Sequence, residues 1–259
     1  MLNTIRIWHF VSAMMILPLG LIAKPIQLYS EHIPPSQIVN DKGIIVAGTS
    51  YVVVLELLKR AQIDAVHTPL PWARAFKLTQ KEPNTLIYSL ARTPLREDLF
   101  EWVGKIQVLQ FYFYGIQLNH ETDSINATDL QKLSVVVVRD SVEAEILQGA
   151  GFELGKNLYL ADSYVTAYKM ALKGRVDVLY ANTFSTDGIT KVLGLTDQAL
   201  KPIYTLNQSM ALYLAANKNS SPDLINKLRN EFTVMEEEGV IKQLIEDELL
   251  RLFQKLPSN

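Results

Sequence analysis

Apolar residues along this chain recur with two periods. Short β-rich runs are separated by longer stretches in which they return at helical spacing. Residues 25–29 (PIQLY) read as a strand, followed by a loop over 30–36 that holds His32 and the Pro34–Pro35 pair, and residues 41–43 carry a turn signal. Residues 51–61 (YVVVLELLKRA) place apolar side chains at 51, 54, 55 and 58 and close on Lys59 and Arg60, as a helix C-terminus prefers. A strand over 65–68 and a helix over 72–80, entered through Pro71, come next. Residues 85–89 (TLIYS) are strand-like. Residues 108–118 (VLQFYFYGIQL) are a β-rich run long enough to leave one domain and enter another.

The second half repeats the theme. Residues 128–131 have the spacing of a capping box. The unbroken β-branched run at 133–138 (LSVVVV) predicts a buried strand, and Asp140 with Glu143 has capping-box spacing at the head of the next helix. Strands at 157–160 and 176–180 flank a helix over 163–172 that closes on Lys173 and Gly174. A strand at 210–216 precedes Ser221-Pro222-Asp223, a cap, a first-turn Pro and an acid. Helix then runs to about 252, with an interruption near Gly239. Strand–helix alternation predicts an α/β fold with open sheets covered on both faces. Crossings near 110 and 210 make it two similar units with a cleft between them.

Composition narrows the possible chemistry. The 259 residues are 48% hydrophobic and 20% charged, an ordinary globular balance, and a net charge of −2 gives no electrostatic case for nucleic acid. Cys is absent, which excludes disulfides, thiolate metal sites, Cys nucleophiles and a lipidated N-terminal Cys. The four His, at 9, 32, 67 and 120, form no local metal motif, and no cofactor is expected. Residues 1–23 show a single Arg, then an apolar stretch, then Ala23 before Lys24, the layout of a cleaved secretory signal. The expectation is an exported, unlipidated periplasmic product.

Residues 84–105 (NTLIYSLARTPLREDLFEWVGK) closely resemble a stretch of bacterial extracellular solute-binding proteins of the amino-acid type, family 3. Ser89 ends a strand, Thr93-Pro94-Leu95-Arg96 follows, and Phe100 precedes the crossover. The pieces at 28–35, near 110, VVVVRDSVEAEIL and 174–177 fall in that family's order, so the resemblance covers nearly all of residues 25–257. It implies a two-lobed Venus-flytrap fold (type II periplasmic binding protein). Residues 24–109 and 213–259 would form one lobe and 110–212 the other, after the 1–23 signal. It also implies a monomer that hands its ligand to a membrane transporter permease.

Within this frame, Arg96 lies just beyond a strand end, where open α/β sheets bind ligands, and its planar fork suits a carboxylate. The family's carboxylate-binding Arg occupies the same place in the motif. The alternative partners for Arg96 are Glu97 and Asp98. Ser89 and Thr93 are neighbouring hydroxyls, which could equally serve as turn caps, and Arg92 is a second cation that either contacts an anion or pairs with Glu101. Trp72 and Arg74 should approach the cleft, although a core Trp is the competing outcome, and Glu31 and His32 follow the first strand on the cleft side. In the second unit, the helix start at Arg139-Asp140-Ser141 offers backbone N–H groups to an anion, with Asp140 alternatively a pure cap. Asn182 falls about where relatives keep an Asp for the ligand's amino group, and a shift of the loop would bring Asp187 there instead. These residues predict a small carboxylate-bearing ligand. If Glu31 and Asp140 point away it is an acid without an α-ammonium, and if either points in it is an amino acid. The competing classes are an enzyme of the same fold, with Glu31, His32 or Asp140 as acid or base, and a sensor that docks on a membrane receptor.

Overall fold

The computed structural model describes residues 25–116, 125–196 and 199–254. The signal-peptide expectation, His120 and the end of the 108–118 run therefore lie outside the described residues. In chain order the first elements are β1 (Ile26–Ser30), β2 (Ile38–Val39), β3 (Ile45–Ala47), α1 (Thr49–Arg60), β4 (Ala65–Pro69), α2 (Trp72–Lys81) and β5 (Thr85–Ala91). A 17-residue strand β6 (Phe100–Ile116) leads to α3 (Ala127–Leu130), β7 (Val135–Val138), α4 (Val142–Gly149), β8 (Leu158–Ala161) and α5 (Tyr164–Leu172). The chain closes with β9 (Val178–Asn182), α6 (Thr183–Val192), β10 (Leu200–Tyr204), β11 (Ser209–Asn217), α7 (Pro222–Glu237) and α8 (Val240–Gln254).

The fold is two-lobed, and β6 joins the lobes. Nine strands run in the order β4-β1-β5-β11-β6-β9-β7-β8, with β10 also on β6. From Phe100 to Gln110, β6 pairs antiparallel with β11, and from Phe111 to Gly115 it pairs with β9. The strands outside this junction are parallel, β4-β1-β5 on one side and β9-β7-β8 on the other. Successive side chains of a strand point to opposite faces. In β5, Leu86 and Tyr88 accordingly pack under α1 and α7 with Val53, Leu57 and Phe232, while Ile87 joins Trp72 and Ala75 of α2; Leu90 shares the Ile87 face because Ser89, at φ +58°, breaks the alternation. The β7 Val run divides likewise, Val135 and Val137 to one core and Val136 and Val138 to the other. A strand covered on both faces has no polar alternation, which is why its sequence reads as a continuous apolar block.

Differences from the sequence reading are local. The crossing strand begins at Phe100, eight residues before the predicted run, because FEWVGKIQ continues the ladder with β11 through two register shifts. Helix α6, β10 and the small β2–β3 pair were not predicted. The α6 sequence TFSTDGITKV is poor in strong helix formers, and it starts on an Asn182 cap whose side chain accepts from Ser185 N at 2.7 Å. The caps of α3 and α4 are Asn126 and Ser141, one or two residues from the expected Thr128 and Asp140.

Candidate functional site

The site grows from strand ends and one helix start. Strand β5 bends at Ser89, and beyond its end at Ala91 the chain reaches Arg96, which is 1% exposed. Beyond β7 it turns at Asp140 into α4. Ser89 and Asp140 hold φ of +58° and +57°, a left-handed conformation that non-glycine residues adopt at an energetic cost. The two positions face each other across the cleft. Arg96 Nε donates to Glu145 Oε1 at 2.7 Å, Arg96 Nη2 lies 2.5 Å from the same oxygen, and Nη2 also donates to the Asp140 carbonyl at 3.1 Å. Trp72 Nε1 donates to that carbonyl at 2.8 Å, and the Arg96 guanidinium rests on the Phe76 ring, 4.9 Å from its centroid. These contacts tie the β5 side of the cleft to the α4 side.

A cavity of about 30 Å³ lies between the two sides. One wall carries Glu31, Trp72, Ser89 and Arg96, the facing wall Ser141, Glu143, Tyr164 and Asn182, and Leu109, Phe111 and Leu212 of the crossing strands form the floor. Three buried polar atoms of its wall have no hydrogen-bond partner: Arg96 Nη1, Glu31 Oε2 and Glu143 Oε2. Glu31 is 6% and Glu143 2% exposed. Burial raises the Glu31 carboxyl well above its ordinary value, and the nearby Glu143 adds to the rise. Burial likewise raises Glu143, partly offset by its own backbone N–H, the Tyr164 and Ser141 hydroxyls and the Arg96 charge. Tyr164 donates to Glu143 Oε1 at 2.8 Å.

No protein-family model matches the chain, and no curated protein matches it. Solved structures do. A histidine kinase sensor domain with similarity to periplasmic binding proteins superposes with a TM-score of 0.77 at 14% identity, covering 87% of this chain and 96% of that one. An ancestral arginine-binding protein bound to arginine gives 0.74 at 15%, covering 86% and 97%. An ancestral amino acid-binding protein, precursor of cyclohexadienyl dehydratase, gives 0.71 at 15%, covering 86% and 94%. The chain has the periplasmic-binding-protein fold. At these identities the likeness concerns the fold alone, and the three neighbours are a sensor, a binder and a precursor of an enzyme.

Of the residues singled out from the sequence, Glu31, Trp72, Ser89, Arg96, Ser141 and Asn182 line the cavity of this periplasmic-binding-protein fold. The others do not. Arg92 turns outward, where Glu97 takes its Nε at 2.8 Å and its Nη2 at 2.5 Å and the Trp102 and Tyr213 rings flank it; Glu101 pairs with Arg229 instead. Arg74 is exposed on α2. Thr93 sits behind Arg96, its hydroxyl 3.4 Å from Glu145 Oε2. Arg96, expected to offer its fork to a ligand carboxylate or to pair with Glu97 or Asp98, donates Nε and Nη2 to Glu145 and leaves Nη1 without a partner. Asp140 contributes its carbonyl while its side chain is exposed, Asn182 uses its side-chain oxygen as a cap, and Asp187 is exposed on α6.

The sequence reading missed Glu143, Glu145 and Tyr164. Acids in a first helical turn are ordinary complements of the helix dipole, so Glu143 and Glu145 carried no separate signal. Glu31 also lines a separate space of about 590 Å³, together with His32, Leu70, Asp162, Val165, Lys169 and Leu193 among others. Among the described residues no group of side chains is placed to hold a metal ion, and no helix is long and apolar enough to cross a membrane.

Proposed function

We propose that this chain is a periplasmic solute-binding protein that captures a small amino-acid-like solute between its lobes. The lobes would be residues 24–109 with 213–259, and 110–212, after removal of a signal at 1–23. The observation that carries this reading is the meeting, in one cavity between the lobes, of a buried guanidinium and two buried carboxylates, each with an unpartnered atom. An ammonium suits Glu31 and Glu143, and an acceptor such as a carboxylate oxygen suits Arg96 Nη1 and the start of α4. Because Glu31 points inward, the amine half of an amino acid has a partner that Asn182 alone would not supply. Capture would close the lobes in a hinge motion, and the loaded protein, a monomer, would deliver its cargo to an ABC transporter permease.

Thermal denaturation of residues 24–259 with pools of amino acids, polyamines and organic acids tests the reading. A pool member at a hundred times its dissociation constant adds about 2.7 kcal/mol, a rise of roughly 5–10 °C for a chain of this size. A folded chain whose melting point no pool moves does not support it. A second reading, an enzyme of the same fold, is favoured by the raised Glu31 carboxyl, since a buried acid beside a cleft can act as a proton donor. Product formation in the pool that stabilises the chain would select that reading.

A further inference from the structure

We propose that the inner cavity grips the cationic end of an aliphatic amine, and that the ligand needs no carboxylate because Glu145 already occupies the Arg96 fork. This rests on reading the cleft as the solute site, and it specifies the solute's charge.

The argument begins with charge. Among the described residues Arg96 is the single cation lining the cavity, and Glu145 neutralises it at 2.5–2.7 Å. Glu31 and Glu143, from opposite lobes, then share an enclosed space with no further cation and with one unpartnered oxygen each. A buried carboxylate without a partner must be protonated or must meet a positive charge. The groups facing the pair inside the cavity do not supply one, and Lys169 of α5, which lines the outer space with Glu31, is exposed. The loop after β1 brings His32, whose Nδ1 accepts from Val39 N and whose ring burial disfavours the charged form. Helix α4 brings Glu145, and α5 brings the Tyr164 and Tyr168 phenols, both raised well above their ordinary value, first by burial. A ligand cation completes the set. An added anion would be a third carboxylate facing the one unpartnered guanidinium nitrogen.

Size and shape select the kind of cation. A space of about 30 Å³ takes a group the size of one or two water molecules, which describes an ammonium better than a guanidinium. Glu31 lines both this cavity and a separate outer space of about 590 Å³, where Leu70, Val165 and Leu193 are apolar and Asp162 and Lys169 are charged.

Calorimetric titration of residues 24–259 at pH 7.5 with cadaverine, lysine and glutarate tests the proposal. Cadaverine and glutarate have five carbons each and opposite charge, and lysine adds a carboxylate to the cadaverine skeleton. Cadaverine and lysine should bind within tenfold of each other, with heats that depend on the buffer because the carboxyl pair gives up protons. Glutarate should bind at least a hundredfold more weakly. Glu31→Gln and Glu143→Gln should each weaken cadaverine at least tenfold, and whichever variant remains folded carries the test. Glutarate binding tighter than cadaverine, lysine binding without cadaverine, or folded variants with unchanged affinity would each overturn the proposal. If all three probes fail while an amino-acid pool still raises the melting point, the charge assignment falls and the binding function stands. Failure of every pool and probe removes both.

Discussion

The inner cavity encloses about 30 Å³ and is walled by buried charges, while the outer space measures about 590 Å³ and mixes apolar walls with exposed Asp162 and Lys169. Glu31 belongs to both. Inside, Arg96 Nη1, Glu31 Oε2 and Glu143 Oε2 are out of contact with water, so a missing partner costs about 1–3 kcal/mol and more for a charge. Outside, Asp162 and Arg139 stand 3.9 Å apart with side chains 86% and 52% exposed, where an ion pair contributes little. On the proposed function, discrimination therefore belongs to the small cavity. Volume alone would have pointed the other way.

Substitutions sharpen this contrast in descending order. Arg96→Met should be the most damaging, because it leaves Glu145, Glu31 and Glu143 without a cation. A loss of about 3 kcal/mol is expected, near the low end for stranding a buried partner since Glu145 is partly open to water. Chemical denaturation measures it, and an unaltered midpoint would mean that the pair contributes nothing to stability. Gly188→Ala acts on closure. Its Cβ would lie 2.5 Å from the backbone of Pro34 across the lobes, so the lobes must part, and ligand affinity should fall by tenfold or more. Small-angle scattering with a radius of gyration equal to that of the native chain would contradict this.

Glu31→Gln should raise stability at pH 7.5 by about 1 kcal/mol and change it little at pH 4. The Glu31 carboxyl is raised well above 4.5 by burial, so in the folded chain it keeps its proton to higher pH than in the unfolded chain. Its contribution is most favourable below about 4.5 and is lost as the pH rises through the folded value. Melting curves across pH 4–8 that show a larger gain at the acid end would reverse the assignment. Asp162→Asn, on the exposed rim, should move stability by under about 0.5 kcal/mol and leave affinity for a short amine unchanged. A large effect there would place recognition at the outer end.

Much of the fold was legible in the sequence because its strands and helices carry strong local patterns. The Val135–Val138 run and the Pro222 start of α7 are clear without a structure. Helix α6 was not, since Thr183, Ser185, Thr186 and Gly188 are weak helix formers held by the Asn182 cap and by packing against the Pro34–Pro35 loop. Arg96 could be found from the element that contains it, but its partner could not. Glu145 is 49 residues away on α4, and only the tertiary fold brings the two together. The same holds for Glu31 and Glu143, whose meeting is long-range and has no spacing rule. Arg92 illustrates the converse error. It lies four residues before Arg96 with the same charge, yet Glu97 beside it and the Trp102 and Tyr213 rings turn it outward.

The central claim is that solute capture draws the two lobes together around the inner cavity. Because the chain contains no Cys, a Lys77→Cys, Gln148→Cys double variant accepts spin labels at two exposed sites only, on α2 and α4. Electron–electron distance measurement should give a broad distribution for the free protein. An equimolar mixture of lysine, arginine, ornithine and cadaverine should collapse it to one short distance, and Arg96→Met should abolish that collapse. A distribution that the mixture leaves unchanged, in a chain shown to be folded, would contradict the account.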